Sequence, residues 1–449
     1  MAGPERLNHK IWQIAWPAIL SNISIPLLGL VDTAILGHLD STRYLAAVAI
    51  GTSILSFLYW GFGFLRMGTT GLVARAAGAH DATRELTVVL QSAVLALALS
   101  GLVIATHTLW VSIGISLMAP GPELAVLAVE YVEIRIYSAP AVLLTYAIIG
   151  WFIGRQDTRW PMLILVFTNG LNILLDILFI VVLDWKSAGA ARATVCAEYA
   201  GCILATWVAA RKIDRSGISL VIPQLSRLTA YRELLRSNRD LFIRTICLLS
   251  SFAFFTAMST RMGETTLAAN TIMLNLLMLA AYGLDGFAYA AEGLAGNAAG
   301  GADLERFHRS VAACWRWTMG TALLVSLVFL VAAPALYPLF TDHDEVVASL
   351  SAHHLWLALM PLVAAPSYLL DGVFIGAART SYMMRSMLLS AGLVYLPLWY
   401  ASTGLGNHGL WLAFVSFNGA RGLTLGWYFQ RLNRHGGWLD TPARPRPVD

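Results

Sequence analysis

Five polar side chains stand inside strongly apolar stretches of the chain: Asp32, Asn172, Asp176, Thr194 and Glu198. An ionisable group in hydrocarbon costs at least about 2.5 kcal/mol on insertion scales, so each is a candidate for function. The four-residue steps from Asn172 to Asp176 and from Thr194 to Glu198 put each pair on one helix face. Carboxylate, amide and hydroxyl oxygens are hard ligands suited to Na⁺. Two carboxylates close together in a low dielectric cannot both stay charged and instead share a proton. The same residues therefore serve either H⁺ or Na⁺ as a coupling ion. No catalytic residue, no resident cofactor and no tightly bound metal is expected, with Na⁺ at Asp32, Asn172, Asp176 and Thr194 as the metal alternative. The plainer reading makes Asp32 and Asp176 hydrogen-bonded structural acids. Glu198 either extends the site or balances Arg192, and Asn169 points elsewhere on its helix.

These residues need a membrane-embedded scaffold to bring them together. Of the 449 residues, 57% are hydrophobic and 12% charged, and the mean hydropathy is +0.66. A water-soluble domain carries about twice that charged fraction, so lipid is the solvent. The first apolar stretch begins at Ile11 and is too long for a signal-peptide core. All four cysteines fall in apolar segments and read as small buried hydrophobes. Apolar runs predict spans over 11–37, 45–74, 87–117, 122–152, 160–184 and 188–210, then 234–261, 266–299, 308–340, 346–376, 384–404 and 407–430. One set of loops carries Arg6, Lys10, Arg75, Arg84, Arg155, Arg159, Arg211 to Arg232, Arg306, Arg309, Arg379, Arg385 and the tail. The opposite set has little beyond Arg43, Lys186, Arg192 and Arg261. The positive-inside rule then makes both termini cytoplasmic, and the net charge of +4 reports topology. At 1.5 Å per residue, Asp32, Asp176 and Thr194 reach comparable depth on the outer side.

A constant offset of 222 residues relates the two halves. Leu45-Ala46-Ala47 and Ile50 recur as Leu267-Ala268-Ala269 and Ile272. Gly71-Leu72, Ala76-Ala77-Gly78 and Asp81 recur as Gly293-Leu294, Ala298-Ala299-Gly300 and Asp303, and Gly150, Phe152-Ile153-Gly154 and Thr158 as Gly372, Phe374-Ile375-Gly376 and Thr380. Two similarly oriented halves imply a pseudo-twofold axis along the membrane normal and a cavity that opens alternately to each side. The expected fold is an all-α membrane protein of about 12 transmembrane helices in two six-helix lobes around that cavity. Residues 1–210 form the N-terminal lobe, 211–233 a cytoplasmic linker, 234–430 the C-terminal lobe and 431–449 a cytoplasmic tail.

Other charges lie within the same spans. Asp285 and Glu292, seven apart, share a face of the eighth span, and Asp371 lies in the tenth; they bind cationic substrate or pair with Arg66 or Arg244. Glu130, Glu133 and Arg135 suit local ion pairs, and Tyr137 at the next turn reaches the cavity. Pro26 removes a backbone hydrogen bond to residue 22. With Pro17 it marks a bend in the first span that responds to the charge on Asp32.

The segments Pro26-Leu-Leu-Gly-Leu-Val-Asp32-Thr-Ala-Ile-Leu-Gly37, Asn172-Ile-Leu-Leu-Asp176 and Leu370-Asp371-Gly372-Val-Phe-Ile-Gly376 resemble the multidrug and toxic compound extrusion (MATE) family, in particular its DinF-like branch. The resemblance covers nearly the whole chain. It implies a MATE-like fold of two six-helix lobes and H⁺- or Na⁺-coupled antiport of organic, often cationic compounds. It also implies that Asp32 is a coupling residue, with Asn172, Asp176 and Thr194 beside it. In the NorM-like branch the seventh helix carries an acid, and this chain has none past Arg244 in that span. The expected partners are small organic molecules and the bilayer, with no nucleic acid, for a single chain in a bacterial inner membrane. A lipid-linked saccharide flippase of the same superfamily is the second expectation, kept by Arg66 and Arg244 although acids outnumber them. A membrane-embedded enzyme would need His-x-x-x-His, Gly-x-Ser-x-Gly or a nucleotide loop, and the spans contain none. A channel fits the two-lobe repeat less well than alternating access does.

Overall fold

Backbone amides in hydrocarbon find no water, so runs this apolar are confined to helices or closed barrels. The computed structural model, which describes residues 4–39, 41–214 and 217–439, takes the helical solution, with no strand among the described residues. Among the described residues, ten helices are long and apolar enough to cross a bilayer. In the first half they are Glu5–Gly37, Thr42–Gly78, Ala82–Ala105, Pro122–Gly154, Arg159–Val182 and Lys186–Lys212. In the second half they are Leu228–Arg261, Glu264–Gly300, Leu304–Leu339 and Asp344–Gly376. The eleventh span is helical but divided into Thr380–Leu389, a π segment Ser390–Tyr395 and Leu396–Ala401. The twelfth, Asn407–Arg434, carries Asn418 and Arg421 in its middle, which makes it less apolar than the others. All twelve expected spans are therefore present as helices.

The third span differs from its expected extent. Its helix stops at Ala105 and resumes as His107–Met118. Thr106 donates its hydroxyl to the Leu102 carbonyl at 2.7 Å, and the His107 ring lies 2.9 Å from the Ile104 carbonyl. Such local side-chain bonds compete with the helical ladder. The expected linker contains a short helix, Ile218–Leu225, and a 3₁₀ turn, Leu228–Tyr231.

The 222-residue offset reappears in packing. A Cβ added at Gly150 would lie 2.4 Å from the Arg66 carbonyl oxygen, and one at Gly372 would lie 2.5 Å from that of Ala288. One turn on, Gly154 meets the Thr70 carbonyl at 2.8 Å and Gly376 the Glu292 carbonyl at 2.2 Å. Each fourth-position span thus rests backbone to backbone on its second-position span, a contact that only small residues permit and that membrane helices favour in place of a hydrophobic drive.

The chain divides into two compact units, one comprising Trp16–Val73 and Ala82–Thr245, the other Met1–Ala15, Ala74–Asp81 and Ile246–Asp449. In the second unit Phe255, Tyr395, Trp411, Phe414 and Phe417 form a buried aromatic core with ring centroids 4.9–6.3 Å apart. Beside it, Asn270 donates to Ser259 and Asn407 and accepts from Trp411, so its buried amide is satisfied. The start of the first span belongs to this unit: Trp12 packs edge-on against Phe287 and Trp317, and Trp317 donates to Asn8.

Gly376→Ala should destabilise the protein by about 1–3 kcal/mol, because the methyl group meets backbone that cannot rotate away. Gly320→Ala, with nothing within 4 Å of the new Cβ, should be silent. Thermal unfolding of the two purified variants checks this; equal midpoints would contradict the packing account.

Candidate functional site

The first unit gathers four of the five polar residues around one enclosed spot. Asp32 comes from the first span, and Asn172 and Asp176 from one face of the fifth. Thr194 comes from the sixth. The carboxyl groups of Asp32 and Asp176 lie within hydrogen-bonding reach of each other. Asn172 donates its amide to the Thr194 hydroxyl at 3.3 Å, and Thr194 in turn donates to the Ala190 carbonyl at 2.9 Å. Asn172 and Asp176 are each 1% exposed. Asp176 closes the α-helical part of its span and the π segment Ile177–Val182 follows at once. Single π turns interrupt the i to i−4 ladder and recur at functional sites.

The spot is short of donors. Asp32 Oδ1, both carboxyl oxygens of Asp176 and Asn172 Oδ1 are enclosed and receive no hydrogen bond from the described residues. Two like charges about 4 Å apart repel by roughly 4 kcal/mol at an effective dielectric of about 20. A proton between the carboxyls, or a small hard cation among these oxygens, removes both the repulsion and the unmet acceptors. The arrangement can therefore load and unload a monovalent cation.

Glu198 joins the neighbourhood through a different partner from the expected one. Arg135 donates to Glu198 at 2.5 Å and to Ser138 Oγ at 3.2 Å, whereas Arg192 stacks over the Trp185 ring at 4.9 Å. Glu198 is thus an ion-paired acid that balances Arg135, because the sixth span faces the fourth here. The expectation that Glu130 and Glu133 pair locally with Arg135 gives way for the same reason, and both glutamates are exposed. The Arg135 charge also reaches Asp32 and Asp176. Asn169 turns to the first span and donates to Ser24 Oγ at 3.1 Å.

The remaining candidates have surroundings of their own. Tyr137 is half exposed, and its carbonyl accepts from Tyr199 at 2.8 Å. In the second unit Asp371 is buried against Arg421 at 2.9 Å, and Arg421 also donates to Asn418. Asp371 therefore pairs with Arg421 of the twelfth span, correcting the expected partners Arg66 and Arg244. Glu292 is buried at 2% exposure and Asp285 is partly buried near Tyr282. A small apolar recess in this unit is lined by Phe252, Leu277, Met278, Met360, Tyr368 and Phe414, and not by Asp285, Glu292 or Asp371. Pro17 and Pro26 both lie within the continuous first helix. The buried arginines Arg135 and Arg421 are what sequence reasoning undervalued; each was visible as a lone guanidinium within an apolar run.

The MatE family model matches residues 17–178 and 241–401. DNA damage-inducible protein F of Escherichia coli (strain K12) is 38% identical over 439 residues, covering 98% of this chain and 95% of that protein. A probable multidrug resistance protein NorM of Xylella fastidiosa is 27% identical over 93% of this chain and 90% of its own. A solved MOP superfamily transporter from Pyrococcus furiosus shares the fold with a TM-score of 0.85 at 22% identity, over 95% of this chain and 96% of its own.

Arg421 is a buried charge partner of Asp371, and breaking a buried pair costs about 3–5 kcal/mol. Arg421→Gln should therefore lower the thermal midpoint sharply, and adding Asp371→Asn should recover much of the loss. A double variant no more stable than the single one would show that the pair is not what holds these residues.

Proposed function

Because the chain belongs to the MatE family, whose members are membrane transporters and not enzymes, we propose that it is a secondary active exporter that exchanges small organic, cationic or amphiphilic compounds for H⁺ or Na⁺. The observation that supports this most is the convergence of Asp32 and Asp176 on one enclosed spot that lacks donors. An acid pair that must gain a cation before it can be stably enclosed responds to an ion gradient, as an antiporter requires. Asn172 and Thr194 supply neutral oxygens for the same ion. The bend at Pro17 and Pro26 is the proposed gate, since each proline removes one intrahelical hydrogen bond from the span that carries Asp32. The chain works as a monomer in a bacterial inner membrane with both termini cytoplasmic, in line with its loop arginines. The names of the relatives, a multidrug resistance protein among them, support the substrate class.

Asp32→Asn and Asp176→Asn should each abolish ion-driven export while leaving the protein folded and inserted. Proteoliposomes carrying a fluorescent organic cation, with pH and Na⁺ gradients imposed separately, measure this and identify the ion. Full gradient-driven efflux by both variants would overturn the coupling site.

A further inference from the structure

The donor shortage around Asp32 and Asp176 has a counterpart a short distance away. Arg135 ends the helical stretch Pro122–Arg135, where the fourth span gives way to the 3₁₀ turn Ile136–Ser138. Its side chain is buried, yet its Nε–H has no hydrogen-bond partner among the described residues. Nη1 is held by Glu198 and by Ser138, whose hydroxyl lies 3.2 Å from Tyr59 Oη. The charged and titratable groups around it are Glu198 of the sixth span, Tyr59 of the second, Tyr131 of its own span, and Asp32 and Asp176 of the first and fifth. One side of the guanidinium is thus bonded. The other has an idle donor while two nearby carboxylates have idle acceptors.

A buried donor and buried acceptors left unmatched in the same region are each costly, so an arrangement that joins them is accessible once the acids are charged. We propose that Arg135 is a tethered counter-ion: it rests on Glu198 while the coupling ion occupies the Asp32–Asp176 pair, and turns onto those carboxylates when the ion leaves. This rests on the coupling reading above. Arg135 is then a positioning residue that competes with the ion and so allows its release. Glu198 serves as the place where the guanidinium is parked. The geometry suits arginine because its planar fork can keep one bond to Ser138 while the remaining N–H groups change partner.

The test measures the half-saturating H⁺ and Na⁺ concentrations for ion-driven export of a fluorescent cation from proteoliposomes holding the full chain. An opposite charge near a carboxylate changes its cation affinity by about tenfold or more. Arg135→Gln should therefore lower the half-saturating ion concentration about tenfold while slowing turnover, because release loses its competitor. Glu198→Gln should raise it about tenfold by freeing Arg135 for the acid pair. In the Arg135→Gln background, Glu198→Gln should change it by less than about twofold. Equal effects of Glu198→Gln in both backgrounds would mean that the two charges act independently, and would overturn the proposal. If Arg135→Gln does not fold, Arg135→Lys keeps the charge and should keep the Glu198 dependence; its loss there overturns the proposal equally. Asp32→Asn and Asp176→Asn run alongside: ion-driven export in those variants refutes the coupling reading itself, whereas inactive acid variants with independent effects at Arg135 and Glu198 refute only the counter-ion.

Discussion

A carboxylate kept out of water must be matched by a cation or by donors, and this chain solves that problem in two different ways. Asp371 is matched by Arg421 and Glu198 by Arg135, each at hydrogen-bonding distance. Asp32 Oδ1 and both carboxyl oxygens of Asp176 are enclosed and receive no hydrogen bond from the described residues. Permanent pairing makes an acid structural, since the partner cannot leave without a large penalty. Incomplete pairing makes it responsive, since something from outside must complete it. The difference between these two conditions, more than the mere presence of acids in apolar helices, separates the candidate site from the rest of the buried charge.

The scaffold supplies the rigidity such a site requires. Close backbone contacts at Gly150 and Gly154 fix the fourth span on the second, and Gly372 and Gly376 repeat the arrangement in the other half. The repeat extends to backbone packing but not to the buried charges of the candidate site. Leu357 stands at the position equivalent to Arg135, and Leu398 at the one equivalent to Asp176. The halves therefore share a frame but not this set of charges, and the candidate site lies in the first unit.

Helices, their number and their repeat were legible in the sequence because lipid leaves so few alternatives for an apolar backbone. The four-residue steps from Asn172 to Asp176 and from Thr194 to Glu198 announced shared faces, and counting residues along the spans put Asp32 level with Asp176, which it meets. What counting could not give was azimuth. Whether Glu198 meets Arg192 or Arg135, and whether Asp371 meets Arg244 or Arg421, depends on how neighbouring helices are rotated, and periodicity within one helix carries no information about that. The break at Thr106 and the π segment after Asp176 were hidden for another reason: the break arises from local competition for a backbone carbonyl, and Ile177–Val182 is uniformly apolar, so its composition marks no change in helix type.

The attachment of the first helix to a distant stretch of chain also bears on how the protein is made. Asn8 and Trp12 find their neighbours at Phe287 and Trp317, and Asn8 is separated from its hydrogen-bond partner by 309 positions in the sequence. At about 5–20 residues per second, a ribosome needs roughly 15–60 seconds to cover that distance. During this interval the partners that Trp12 and Asn8 have in the folded structure do not yet all exist. Assembly of the candidate site can precede this step, because every residue in it lies upstream of Thr245, so the nascent chain can gather Asp32, Asn172, Asp176 and Thr194 before Trp12 meets Trp317.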